Sequence, residues 1–368
     1  MNRIFVTATA FALIAGASNA GDLDQSLQPI GALFAPGNYA EFSLGYSMPS
    51  VTGVGVNAPT PGKYSGNMAN AKVLTGFSIK KSFSDKLDAA LIYDQPFGAD
   101  ISYPTGTGYY AAGTSARLNT SSLTGLLKYK VVPNFSVYGG LRYELLDAKA
   151  NIVTAKGVYT LSVPSSSAFG YVAGIAYEAP EVGRRISLTY NSALNHGTTS
   201  NETFAGGPVT SSSTAADMPQ SVSLDFQTAI SKATQIFGSA RWSNWSAFDY
   251  SPPVYKKITG GKSLISYPKD IMDYSLGVGH KFTDNWSGAA TIGYQPSTGL
   301  FTGNLGPTDG NASLGLAAIY TQGKVKITGG VKYIRIGNAQ ASNTGLLASS
   351  NFTGNHAIAV GLKVGYSY

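Results

Sequence analysis

AIAVGLKVGYSY, residues 357–368, sets Ile358, Val360, Leu362, Val364, Tyr366 and Tyr368 at every second position, with Ala359, Gly361, Lys363, Gly365 and Ser367 between them. A period of two belongs to an extended strand, whose successive side chains point to opposite faces. One face here is aliphatic and aromatic; the other is small or charged. Such a strand suits a sheet that turns its oily face to lipid and its polar face to an enclosed interior. Standing last in the chain, it reads as a closing strand expected to pair with the first strand, near Asn38 to Val54. Tyr366 and Tyr368 would then sit at the periplasmic interface, the end that barrel-assembly machinery is expected to read.

The same period runs through most of the chain after residue 38. Val73, Thr75, Phe77 and Ile79 alternate with polar or small residues, as do Leu87, Ala89, Leu91 and Tyr93, then Tyr171, Ala173, Ile175 and Tyr177, and later Trp286, Gly288, Ala290, Ile292 and Tyr294. Six connections are short: Ser84-Asp85-Lys86, Pro133-Asn134, Pro180 to Gly183, Lys232-Ala233-Thr234, Thr283-Asp284-Asn285 and Gln322-Gly323. Seven longer stretches rich in Gly, Ser, Thr and Pro alternate with them, near 55–68, 106–114, 156–166, 199–217, 250–269, 298–310 and 339–352. Thirteen connections join fourteen strands, with both chain ends on the short-turn side. The expectation is an all-β fold: a 14-stranded antiparallel transmembrane outer-membrane β-barrel with a short N-terminal plug segment. Closure follows because every backbone N–H and C=O in hydrocarbon needs a partner and a closed sheet has no free edge. Phe83, Phe135, Phe282 and Trp286 flank the short turns as an interfacial girdle would.

Composition agrees. Charged residues make up 12% of the 368, about half the share typical of soluble domains, while Gly numbers 44 and Tyr 23. Asn2 and Arg3, the apolar run from Ile4 to Gly16, and Ser18-Asn19-Ala20 read as a signal peptide cleaved after Ala20. No run of about 18 apolar residues follows that would form a membrane-crossing helix. Cysteine is absent, so stability is expected from the closed sheet alone, without disulfides. A net charge of +7 without a basic cluster gives no footing for nucleic acid. The expected organisation is a signal peptide at 1–20, a plug segment at 21–37 and the barrel at 38–368.

His196, His280 and His356 have no metal-ligand spacing. Gly260-Gly261-Lys262-Ser263 ends like a phosphate-binding loop, but Lys256 stands where the first glycine belongs, so the stretch reads as loop. Neither G-x-S-x-G nor H-E-x-x-H occurs. The expectation is therefore no enzyme, no metal and no cofactor; a rim hydrolase using His196 or His356 is the distant alternative.

Three stretches resemble the FadL/TodX family of outer-membrane hydrophobic-compound transporters. Residues 218–248, MPQSVSLDFQTAISKATQIFGSARWSNWSAF, carry Met218-Pro219 and the element Trp245-Ser246-Ala247-Phe248; residues 173–194 and 274–297 are the others. The resemblance implies passive uptake of hydrophobic small molecules such as long-chain fatty acids or hydrocarbons, by a monomer in contact with outer-membrane lipid and lipopolysaccharide. It also implies that Pro96-Phe97-Gly98, inside the third strand, kinks the wall and opens it sideways; Pro cannot donate to a ladder and Gly tolerates the bend. Where the family carries Asn-Pro-Ala in a longer hatch, this chain has Gln28-Pro29-Ile30-Gly31-Ala32, so Pro29, Leu33 and Phe34 are expected in a shortened one. Arg142 and Arg241, in the inward phase of their strands, are candidate partners for a fatty-acid carboxylate, or structural charges paired with Glu144 or Asp225. The competing function is a general hydrophilic porin.

Overall fold

The computed structural model describes residues 23–368; residues 1–22, with the expected signal peptide and the start of the expected plug, lie outside the described residues. The wall consists of β1 (Tyr39–Ser50), β2 (Lys72–Ser82), β3 (Leu87–Asp94 and Gly98–Ser102), β4 (Ser115–Val132), β5 (Phe135–Thr154), β6 (Gly157–Ala179) and β7 (Arg184–Asn191 and Leu194–Phe204). It continues with β8 (Thr210–Met218 and Ser221–Ala229), β9 (Thr234–Ser243), β10 (Ile271–Lys281), β11 (Trp286–Gln295), β12 (Asn311–Gln322), β13 (Val325–Ile336) and β14 (His356–Ser367). Each strand pairs antiparallel with its sequence neighbours, and β1 pairs with β14 from Tyr39↔Ser367 to Ser50↔His356, which closes a 14-stranded barrel.

The oily phase of each strand faces out. Phe42, Val73, Leu141, Tyr171, Leu276, Ile292, Leu316 and Val360 are all exposed, whereas Ser78, Thr124, Thr189, Ser187 and Lys363 are buried. Around the short turns Phe83, Phe282, Trp286, Tyr366 and Tyr368 are exposed, as a girdle requires. No helix among the described residues is long and apolar enough to cross a membrane, and crossing by strands needs none.

Two of the seven expected long connections are mostly strand. Between β5 and β6 only Ala155 and Lys156 turn, with Thr154 opposite Gly157, so all of 156–166 except Lys156 is wall. Likewise 199–217 is strand except for 205–209. These segments lack an oily outward phase because they rise beyond the level where an oily face is required. Asn195, Gly197 and Thr199 point outward, and the ladder still forms from Leu194↔Met218 to Glu202↔Thr210. The stretch 250–269 also holds a short helix, α1 (Pro253–Ile258). Its N-terminal amides at Val254 and Tyr255 donate to the buried carboxylate of Glu202 at 3.2 and 2.9 Å, fastening this mouth segment to β7.

Candidate functional site

The third strand breaks where the sequence placed the break. Asp94 is opposite Ser122 on β4 and Gly98 is opposite Asn119, so Gln95, Pro96 and Phe97 bow away from the ladder. Pro96 has no N–H to offer. The Thr120 side chain substitutes for the missing rungs, its hydroxyl accepting from Phe97 N–H at 2.9 Å and donating to Phe97 O at 2.8 Å. On the other flank β3 pairs with β2 only as far as Phe77↔Tyr93. Above that step the Gln95 side chain accepts the Thr75 N–H at 2.9 Å, and the segments rejoin ahead of β2, where Asn70 N–H donates to Asp100 O at 3.0 Å, Ala69 bridges Ile101 and Ser102 N–H donates to Met68 O at 2.8 Å. A gap in the wall therefore lies between β2 and β3. Gly98 is required there: a Cβ would come within 2.5 Å of Lys72 Nζ, 2.8 Å of Gln25 Nε2 and 2.8 Å of Leu118 O.

Residues 23–34 run through the lumen directly behind the gap. Gly98 N–H donates to Leu23 O at 2.8 Å and Gln25 N–H donates to Pro96 O at 2.7 Å, so residues 23–25 lie along the bowed segment as a substitute strand. The carboxylate of Asp24, buried, accepts from Trp245 Nε1 at 2.7 Å and pairs with Arg241 at 3.1 Å. Ser26 hydrogen-bonds Asp94, and the Gln28 side-chain oxygen accepts from Ser221 at 3.1 Å and Arg241 at 3.3 Å. Leu27 and Gln28 take φ of 54° and 55°, a left-handed conformation that side chains rarely adopt without such anchoring. Farther down, Pro29 leads into a single helical turn, Gly31–Phe34. Leu33 is fully buried against Ala90, Ile92 and Leu126. Phe34 lies under the Lys128 and Arg185 cations, 5.1 and 4.6 Å from its ring centre, and edge-on to Tyr138.

This segment separates two unlike cavities. Toward the mouth is a space of about 360 Å³ lined by Leu23, Ala99 and Leu118 next to the gap, by Leu146, Leu161, Val163 and Met218 of the wall, and by Phe248, Leu264 and Tyr267 of the mouth loops. Arg117 and Lys149 border it in the wall but take the outward phase of their strands, the Arg117 side chain being 63% exposed. Toward the short turns is a space of about 200 Å³ lined by Gln28, Arg185, Asp225, Arg241, Asp273 and Lys332. Phe97, at 0% exposure, meets Trp245 edge-on at 5.8 Å beside the apolar space. Trp245 in turn sits in a turn pinned by Asp270, which accepts from Trp242 Nε1, Asn244 Nδ2 and the Ser246 amide at 3.0, 3.0 and 3.1 Å. Burial alone would raise the Asp270 carboxyl, but the donors from Ser246, Asn244 and Trp242 hold it below the usual carboxylate range.

Arg142 and Arg241 both point inward, but neither lines the apolar cavity. Arg142 donates to Thr124 at 3.0 Å and faces the charges of Asp94 and Glu144. The ion pair of Arg241 is with Asp24 rather than Asp225, which faces Arg185. Among the described residues no group of His, Asp and Glu could hold a metal ion. Sequence reasoning missed Asp24, the cavity residues and Trp245 as a site residue, although Trp245-Ser246-Ala247-Phe248 had stood out as a motif.

A closed barrel with an oily belt, an aromatic girdle and an apolar chamber beside the break in its third strand defines an outer-membrane channel protein. The chain belongs to the family described as outer membrane protein transport protein (OMPP1/FadL/TodX), which matches residues 37–300. It is thus a FadL/TodX-type member of the outer-membrane hydrophobic-compound transporters. Its fold is similar to that of a Pseudomonas aeruginosa FadL homologue, at 16% identity, 98% of both chains and a TM-score of 0.75. The P. putida toluene transporter TodX superposes at 13% identity over 92% of both chains with a TM-score of 0.63. The CymD monoaromatic hydrocarbon channel does so at 13% identity, 100% of this chain and 99% of the other, with a TM-score of 0.61. No curated protein matches the sequence significantly.

Proposed function

We propose that this barrel collects small hydrophobic molecules at its mouth, holds them in the apolar chamber and releases them sideways through the gap at Pro96-Phe97-Gly98. The supporting observation is the arrangement of the lumen: the apolar chamber adjoins the wall gap, whereas the way down is filled by residues 23–34 and continues into charged space. Moving an eight-carbon chain from the chamber into that charged space would cost roughly 6 kcal/mol, at about 0.8 kcal/mol per methylene. Passage into lipid costs nothing comparable. Residues 23–37, with Pro29, Leu33 and Phe34 at the base and Asp24 at the tip, act as the short hatch.

The substrate class is uncharged or singly charged and predominantly apolar. Toluene and monoaromatic hydrocarbons, named for two similar structures, would fit a chamber of about 360 Å³. Arg142 and Arg241 are not placed for a fatty-acid carboxylate in the chamber: neither lines it, and Arg241 is engaged with Asp24.

The test is uptake of radiolabelled toluene and oleate by a deletion strain carrying the native gene or the variant Pro96→Val/Gly98→Val. The double variant restores a donor and places a side chain where Lys72 and Gln25 now reach in. Loss of most uptake with normal amounts of folded barrel is expected; uptake at the native rate would sink the lateral route. A large, steady, non-selective current in planar bilayers would instead favour a hydrophilic porin.

A further inference from the structure

Resting on the reading that the apolar chamber holds ligand, we propose a second lateral port: a seam between β6 and β7 through which uncharged ligand passes between the chamber and the outer leaflet.

The ladder between these strands is interrupted. It runs from Ala179↔Arg184 to Val172↔Asn191 and resumes at Ser162↔Asn201. Just above the lower part, Ser192 N–H donates to Tyr171 O at 3.0 Å and Tyr171 N–H donates to Ser192 Oγ at 2.9 Å. Beyond that, residues 163–170 and 193–200 form no ladder with each other. Burial shows the cause. β6 turns Tyr159, Leu161 and Val163 inward, then, past Pro164-Ser165, Ala168 and Val172. β7 turns Ser187, Thr189 and Asn191 inward, then, past Ser192-Ala193, Leu194, His196 and Thr198. Each strand slips its phase by one residue, but at different heights. Between the two slips, opposed residues face opposite sides of the wall and cannot share rungs. The outer neighbours are unaffected: β5 follows β6 with Leu146↔Ser166 and Ala148↔Val163, and β7 keeps its partner in β8.

Position and closure make the seam a port. Leu146, Leu161, Val163 and Met218, on both sides of it, line the chamber. Because about 9–11 residues of a tilted strand cross the hydrocarbon, a seam that starts at Tyr171 on a strand ending at Ala179 lies at the upper edge of that layer and above it. Unpaired backbone groups there can meet water or sugar hydroxyls. The seam is shut by side chains. Leu194 packs over Gly170, its Cδ2 lying 2.8 Å from where a Cβ would stand. His196, fully buried, reaches Ser166 Oγ through Nδ1 at 3.4 Å and Glu144 on β5 through Nε2 at 3.3 Å, a bolt across β6. Side chains can swing aside where a ladder would have to be broken. The Glu144 carboxylate behind the bolt would repel an anionic ligand, which restricts the port to neutral ones.

The native chain has no cysteine, so an introduced pair is unambiguous. Ser166→Cys/His196→Cys, and separately Ala168→Cys/Leu194→Cys, are joined in cells by oxidant or a short bis-thiol linker, and toluene uptake is compared with the same cells after dithiothreitol or before linking. Each variant is its own control for folding. Val331→Cys/Val360→Cys, across an intact ladder, controls for the chemistry. Stapling should lower uptake where the kink is native and abolish the residue in the Pro96→Val/Gly98→Val background, reversibly for the disulfide. Stapled and unstapled uptake that agree in both backgrounds overturn the seam, and the kink reading survives if its own variant still loses uptake. A kink variant with no uptake before stapling also overturns it. Native uptake in the kink variant that stapling removes would sink the kink route and keep the seam.

Discussion

The mouth half and the turn half of the lumen are built by the inward faces of the same strands, yet one is oily and the other charged. On β5, Arg142 and Glu144 face inward below and Leu146 above; on β8, Met218 faces inward above the break and Asp225 below it. The difference teaches that the inward phase of a barrel strand need not keep one chemistry along its length. A chamber is made by changing that phase from polar to apolar part of the way up. The N-terminal segment lies at the change, with Leu23 lining the apolar side and Asp24 and Gln28 engaged with the polar wall.

Placing a charge in the oily half should have the largest effect. Leu161→Asp puts a carboxylate among Leu146, Val163 and Met218, where ionisation costs several kcal/mol without a partner. Toluene uptake by whole cells is expected to vanish while the barrel still inserts; native uptake would show that ligand bypasses the chamber. Next is the border itself. Asp24→Ala takes the carboxylate from Arg241 and Trp245 and should cost about 3–5 kcal/mol, as removal of one member of a buried pair does. Hydrogen exchange at residues 23–28 should accelerate while that of β13 and β14 stays unchanged, and unaltered protection would mean the pair does not hold the segment. A smaller effect is expected at the base. Leu33→Ala empties a site against Ala90, Ile92 and Leu126 and should cost about 3 kcal/mol. Thermal unfolding in detergent reads it, and a midpoint equal to the native one would mean the base carries no packing energy.

Much of this was legible in the residues. Alternation and connection lengths led to the strand number, the pairing of β1 with β14 and the outward belt, and Pro96-Phe97-Gly98 marked the break in β3. Two loops were misread, because 156–166 and 199–217 lack the oily phase by which strands were recognised. Arg142 and Arg241 were placed correctly inward, but the carboxylate paired with Arg241 belongs to Asp24, far away in sequence.

The sequence by itself determined a closed antiparallel barrel, since the period of two and the rhythm of turns are local properties that repeat along the chain, and hydrocarbon leaves no solution but closure for a backbone that crosses it as strands. Only the tertiary structure decided where the lumen turns apolar, how residues 23–25 back the broken strand, and that β6 and β7 pass one another out of phase. Those features depend on which residues meet across the barrel. Asp24 finding Trp245 and Arg241, or two bulges falling at unequal heights on neighbouring strands, is a matter of register between distant segments that no single stretch encodes.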